Sequence, residues 1–182
     1  LAEALCNAPI KAIYSSPLER AVETAEPLAQ AHNLPIQIRP GLLEIDFGGW
    51  VGKTGKQMGR MKLWKTVQET PSLMRFPGGE SFPEAQARVV TELESIAAVH
   101  DEKDWAACFF HSDAIKLAIA HFLGMPLDNF QRLPVDTISI TALTIPKEGS
   151  PRFWLINQRL GLEFKMPEAK KGRRRKGKDQ KI

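Results

Sequence analysis

An α/β fold is what this sequence predicts, and two stretches carry the prediction. Residues 10–14 form a short apolar run that leads into a strongly marked helix start. Later, Trp105-Ala106-Ala107-Cys108-Phe109-Phe110 is a continuous apolar run of the kind a central parallel strand shows, followed at once by His111-Ser112-Asp113 and an amphipathic helix. At 182 residues, 43% of them hydrophobic and 25% charged, the chain has enough apolar material for one soluble domain with its own core, assigned to residues 1–164. No apolar run is long enough to span a bilayer.

The formal charge of +4 comes from one end, because residues 165–182 hold 9 of the 25 Lys and Arg and only 2 of the 21 Asp and Glu. Residues 1–164, with 16 basic against 19 acidic side chains, are therefore mildly acidic at net −3. The basic run reads as a disordered appendage, with weak and salt-sensitive polyanion binding as its one functional expectation. Two cysteines, Cys6 and Cys108, give neither a disulfide framework nor a CxxC spacing, which predicts a reducing, cytoplasmic setting and a Cys108 that belongs to the core. There is no metal or nucleotide motif, so no cofactor is expected, and no pattern fixes an oligomeric state.

In chain order, residues 1–5 favour a helix but carry no cap and no signal-peptide pattern, which reads as entry partway through a helix. After the first strand, Ser16 is the predicted N-cap, with Pro17 at the first helical position and Glu19 closing a capping box. Leu18, Ala21, Val22, Ala25, Leu28 and Ala29 recur at helical spacing, and Pro27 is expected to kink or restart this helix. Arg20 falls in the first turn, where the helix dipole opposes a cation. An anion such as phosphate in front of it is one explanation, and pairing with Glu19 or Glu23 is another. Residues 34–38, between prolines, are a weak edge strand.

Residues 41–52 hold two carboxylates and four glycines among apolar side chains, the signature of a tight, partly buried loop. A carboxyl among Leu43, Ile45, Phe47 and Trp50 loses solvation, which raises its pKa toward the range of a general acid; Glu44 is the candidate, against the alternative that Glu44 and Asp46 bond only to backbone or solvent. Residues 53–74 hint at a short helix under a mobile cover. Ser81 and Glu84 form a second capping box, opening a helix to about Val99 that buries Ala85, Val89, Leu93, Ile96 and Ala97. Its Arg88 is expected to pair with Glu84 or Glu92, or to reach toward a substrate. The helix after His111 is predicted to bury Ile115, Ala118, Ile119, Phe122 and Leu123 and to stop at Gly124. His111 lies at a strand C-terminus and a helix N-terminus, where α/β sheets bind ligands, whereas His32, His100 and His121 have no such placement. Residues 138–145 and 152–157 read as two strands joined as a hairpin or sheet edge.

Taken together, Ser15-Ser16-Pro17-Leu18-Glu19-Arg20-Ala21-Val22-Glu23-Thr24-Ala25, Leu43-Glu44 with Phe47-Gly48-Gly49-Trp50, Phe76-Pro77-Gly78-Gly79-Glu80-Ser81, and the strand-His111-helix unit resemble the histidine phosphatase superfamily, in its phosphoglycerate mutase-like branch. The resemblance implies a three-layer α/β/α sandwich around a mostly parallel sheet. It also implies a hydrolase or phosphomutase acting on a small phosphorylated substrate through a phosphohistidine. By the same resemblance Arg20 is a phosphate clamp, His111 the second pocket histidine with Ser112 beside it, and Glu44 the proton donor to the leaving group.

Three departures accompany the likeness. The family's first strand ends in Arg-His-Gly, whose histidine is the nucleophile, and no Arg-His-Gly occurs in the chain. The expectation is a truncated domain lacking that first strand and most of the following helix, with a non-catalytic anion-binding or scaffold protein as the alternative. Ser112 replaces a common glycine, and Val51 a common acidic residue.

Overall fold

The computed structural model describes residues 1–101 and 103–159. Strand β1 (Ile10–Ser15) is the middle of a three-stranded parallel sheet, with β2 (Ile36–Ile38) on one side and β3 (Trp105–Phe109) on the other. Helix α2 (Glu19–His32) connects β1 to β2, while α5 (Phe82–Ala98) precedes β3 and α6 (Ser112–Phe122) follows it. Short helices α1 (Ala2–Leu5), α3 (Gly55–Met58) and α4 (Trp64–Glu69) lie between or before these elements.

The two faces of the sheet are covered separately, which makes three layers. Ile10 and Ile13 pack with Ala25, Leu28 and Ala29 of α2, and Ala107 and Phe109 join them from β3. On the other face Ala12 and Tyr14 join Ala85, Val89, Leu117 and Ala118 of α5 and α6. β1 and β3 therefore have apolar residues on both faces, as strands sandwiched by helices require, whereas β2 at the edge carries Ile36 and Ile38 on one face and Gln37 on the other. A second, antiparallel pair, β4 (Ile140–Thr144) with β5 (Arg152–Gln158), forms the predicted hairpin and shares no ladder with the parallel sheet.

Several expectations are corrected. β1, not the 105–110 run, is the central strand; β3 is a flanking strand whose partner among the described residues is β1 alone, and its Trp105 is 54% exposed. Its continuous apolar character records helices on both faces, a pattern that cannot distinguish a central strand from a flanking one. Helix α2 begins at Glu19 with Leu18 at the N-cap position, so Ser16 and Pro17 precede it and the Ser16–Glu19 capping box is not formed. Pro27 lies inside α2 without restarting it. On α6 the buried face holds Ala114, Leu117, Ala118, Ile119 and Ala120, with Ile115 and Phe122 half-buried and Leu123 48% exposed.

The second capping box is formed as read: Ser81 Oγ accepts from the Glu84 N–H while the Glu84 carboxylate accepts from the Ser81 N–H at 2.9 Å. Residues 41–52 are irregular apart from two 3-10 turns, with Leu42, Ile45 and Trp50 buried. An aromatic chain pins this segment: Phe47 and Trp50 meet Phe76 edge-on at 5.0 and 5.3 Å, Phe76 meets Phe82, and Phe82 meets Phe130 at 4.9 Å. No helix among the described residues is long and apolar enough to cross a membrane. The basic run 165–182 lies outside the described residues.

Candidate active site

The site assembles at the C-terminal ends of β1 and β3. Because Ser15 pairs with Phe109 across the parallel ladder, Ser16, one residue past the end of β1, and His111, two past the end of β3, emerge close together. The Ser16 N–H donates to the Phe109 carbonyl at 2.9 Å, and Ser16 Oγ lies 2.8 Å from His111 Nε2. Ser16 is fully buried and His111 is 6% exposed. The Ser16 hydroxyl is shared between the imidazole and the Leu18 N–H, from which it accepts at 3.4 Å, and with α2 starting at Glu19 it caps no helical N–H.

His111 is itself the N-cap residue of α6, with extended backbone, so the first N–H groups of that helix open beside its ring. Burial, then the positive charges of Arg20 and Arg88, push its pKa down to about 4. At neutral pH the His111 imidazole is therefore held neutral. A bound phosphate would offset the two guanidinium charges and raise that pKa.

Arg20 occupies the first turn of α2, is exposed, and forms no ion pair among the described residues, so the alternative pairing with Glu19 or Glu23 is not realised. Its guanidinium is close enough to act on both His111 and Glu44. Glu44 sits in the irregular segment, and burial raises its carboxyl above the usual range. The negative charge of Asp113 adds to that rise, while the N–H groups of Ile45 and Ala114 and the charge of Arg20 work against it. Glu44 thus faces the first turn of α6, the same turn that follows His111. Arg20, Glu44 and His111, distant in sequence, converge there.

Ser112 is placed in this turn, but its hydroxyl donates to the Val135 carbonyl at 3.3 Å, which leaves its backbone N–H as its contribution to an anion site. Arg88 pairs with neither Glu84 nor Glu92. Glu84 is taken by Arg75 and Ser81, Glu92 accepts from the Gly41 N–H at 3.2 Å, and Arg88 pairs with Glu80 instead. His32 bonds to the Leu5 carbonyl and His100 to the Tyr14 hydroxyl, both away from the cluster. Burial pushes the Cys108 thiol up to about 12, so it is unreactive, as a core cysteine should be. Two surface depressions, one between α2 and β2 beside Glu26 and Asn33, the other beside Glu94 and His121, are lined by none of Arg20, Glu44, His111 or Ser112.

Sequence reading missed two partners, Ser16 for His111 and Glu80 for Arg88. The first has a usable signal: Ser16 and His111 lie within two residues of the C-terminal ends of neighbouring parallel strands, β1 and β3. The second has none, since the seven residues between Glu80 and Arg88 cross from a loop into a helix and carry no fixed spacing.

An arginine, a half-buried carboxyl and a histidine gathered at a helix N-terminus of a parallel α/β domain are groups able to hold an oxyanion and move a proton at it. The chain belongs to the histidine phosphatase superfamily (branch 1), whose family model matches residues 1–158. It is 28% identical over 145 residues to phosphoserine phosphatase 1 of Hydrogenobacter thermophilus, covering 79% of this chain and 68% of that protein. It is 26% identical over 136 residues to a 2,3-bisphosphoglycerate-dependent phosphoglycerate mutase of Thermoplasma acidophilum, covering 75% of this chain and 64% of that one. The chain spans 41% of the length of the mycobacterial relatives that match it at 30% identity. Among solved structures, YhfR of Bacillus stearothermophilus superposes with a TM-score of 0.79 at 27% identity, over 87% of this chain and 79% of that one.

Proposed function

We propose that the Arg20–Glu44–His111 cluster binds the phosphoryl group of a small phosphomonoester and protonates its leaving oxygen, as part of a phosphatase or phosphomutase. The observation that carries this reading is a carboxyl with a raised pKa held beside an unpaired arginine and a buried histidine at one helix N-terminus. The guanidinium of Arg20 offers two parallel N–H donors to non-bridging phosphoryl oxygens, and the first N–H groups of α6 offer more. As the bond from phosphorus to the ester oxygen breaks, its electron pair goes to that oxygen, which takes the Glu44 proton. On this reading the phosphorus in turn forms a bond to the nitrogen of a nucleophilic histidine, which none of the histidines of this sequence supplies, since the Arg-His-Gly motif is absent from it. Water later attacks the phosphohistidine and gives a proton back to Glu44, or a second substrate hydroxyl does so in a mutase.

A second reading is favoured by the sequence itself, since Arg-His-Gly, the family's nucleophile motif, is absent from it. On that reading the chain keeps the clamp and binds phosphate or a phosphorylated partner without turnover. Calorimetric titration with inorganic phosphate and with vanadate tests the site under both readings. Wild type should bind, and Arg20→Ala should lose about 2–3 kcal/mol, the scale of a bidentate charge-assisted contact. Equal affinity in the two proteins removes Arg20 as the clamp. The two unpaired cysteines, one of them with a raised pKa, fit a cytoplasmic setting. Polyanion binding by residues 165–182 is proposed as a separate property, which deletion of that run should abolish.

A further inference from the structure

We propose that Arg88, locked in place by Glu80, is the positioning residue that holds the Glu44 segment against the first turn of α6; the inference rests on the reading of Glu44 as the proton donor. The segment 41–46 has no ladder of its own, so its carbonyls need other donors. Arg88 supplies them. Its Nη1 donates to the Gly41 and Leu43 carbonyls at 2.9 and 3.0 Å, and its Nη2 reaches the Glu44 carbonyl at 3.4 Å. The remaining donors go to Glu80, Nε to Oε1 and Nη2 to Oε2, each at 2.8 Å. A guanidinium has five N–H donors, and here each has a protein acceptor, so Arg88 keeps none for a substrate. That separates it from Arg20, which has no ion-pair partner among the described residues.

Glu80 completes the clamp. Its Oε2 also accepts from the Asp46 N–H at 3.0 Å, and its own N–H donates to the Asp46 carbonyl at 2.9 Å. One ion pair thus ties down both ends of the segment, Gly41 through Arg88 and Asp46 through Glu80, with Glu44 between them. The clamp is registered to the rest of the site, because Arg88 projects from α5 and Gln86 of that helix donates to the Leu117 carbonyl of α6 at 2.9 Å. The separation of Glu44 from His111 is therefore set by a path through α6, α5 and Arg88. A lysine at 88 would keep the charge but place all its donors on one atom, unable to serve three carbonyls and a carboxylate together.

The test follows the Glu44 carboxyl directly by 13C NMR, its resonance assigned by loss in Glu44→Gln, in wild type, Arg88→Lys and Glu80→Gln. The groups facing it, Asp113, Arg20 and the Ile45 and Ala114 N–H groups, are unchanged in these variants. The expected result is a Glu44 midpoint that falls toward the ordinary carboxylate value in both variants, with amide exchange at residues 42–46 faster by about tenfold or more. Titration with inorganic phosphate on the same samples reports the anion site separately, and should change by less than about threefold because Arg20 and His111 are untouched. An unchanged Glu44 midpoint and unchanged exchange in the variants overturn the positioning role. Should Arg88→Lys fail to fold, Glu80→Gln, which retains every carbonyl contact, decides the matter. Failure of wild type to bind phosphate sinks the phosphoryl-transfer reading while leaving the Arg88 comparison readable.

Discussion

Ser16 Oγ and His111 Nε2 lie 2.8 Å apart in the interior, joining the ends of two adjacent parallel strands through side chains as the ladder joins them through backbone. Ser16→Ala leaves a buried ring nitrogen without a partner, which costs about 1–3 kcal/mol, more than the bond's net worth, because the unpaired group keeps its desolvation penalty. Urea unfolding monitored by circular dichroism measures it. A loss below about 0.5 kcal/mol would mean that the imidazole finds another partner, and that Ser16 does not fix the ring.

That neighbouring strand ends deliver Ser16 and His111 together was not legible as a contact, yet most of the frame around it was. The apolar runs at 10–14 and 105–110 each form a strand, though the second flanks the sheet instead of centring it, and the turn at 76–81 and the Ser81 capping box, which announce themselves through local chemistry, form as read. The raised pKa of Glu44 was legible for the same reason, since its sequence neighbours Leu43, Ile45, Phe47 and Trp50 announce loss of solvation. What sequence could not supply was the competition for a polar group. Ser16 suits a helix cap and a histidine equally well, and only the register of β1 against β3 decides for the histidine. Arg88 likewise had two acidic neighbours at helical spacing, but the carbonyls of 41–44 and the Glu80 carboxylate together offer a more complete set of acceptors.

The pH dependence of stability separates the two titrating groups of the site by sign. His111 has a folded pKa of about 4 against 6.5 for the free side chain, so between these values the unfolded chain binds more protons. Its contribution is present above pH 6.5 and is lost as pH falls toward about 4, by up to roughly 3 kcal/mol. Glu44 acts in reverse: its folded pKa is raised, so its contribution is full below the unfolded value and is lost as pH rises through the folded one. Urea midpoints taken from pH 4 to 7 in phosphate-free buffer should rise with pH in wild type and lose much of that slope in His111→Asn. An unaltered slope in the variant assigns the dependence to other groups.

Two glycines allow the 41–50 and 76–81 segments to interlock. A Cβ at Gly79 would stand 2.2 Å from the Asp46 carbonyl oxygen, and one at Gly48, whose φ is +49°, would stand 2.3 Å from the Pro77 carbonyl oxygen. Both obstacles are backbone and cannot swing away. Gly79→Ala should therefore push the segments apart and destabilise the protein by about 2 kcal/mol or more, with Gly48→Ala at least as costly because it adds a strained φ. Trp50, 3% exposed beneath these loops, is the reporter. Red-shifted tryptophan emission with a lowered urea midpoint is expected, and an unchanged midpoint in both variants would show that the loops do not need this contact.

The 182-residue chain itself should show no turnover of p-nitrophenyl phosphate above background, although Arg20, Glu44 and His111 are in place. Splitting phosphoryl transfer into two steps requires a nucleophile held in line with phosphorus, and aryl phosphate makes the point cleanly because its leaving group hardly needs the Glu44 proton. Among the described histidines, His32 is bonded to the Leu5 carbonyl and His100 to Tyr14, and His121 stands edge-on to Phe122. His111 alone reaches the site, where its ring is bound to Ser16 and flanked by the guanidinium that would hold the phosphoryl group. On the proposed reading, this placement beside the clamp makes His111 a binder of phosphoryl oxygen and not the group that attacks phosphorus. Water can use the remaining electrostatic stabilisation, which allows a slow residual rate without a covalent intermediate. The assay is p-nitrophenol release by purified protein, with acid-labile phosphohistidine probed in parallel and phosphate binding confirmed on the same sample. Robust turnover with phosphohistidine trapped on His111 would reassign that residue as the nucleophile and overturn the role given to it here.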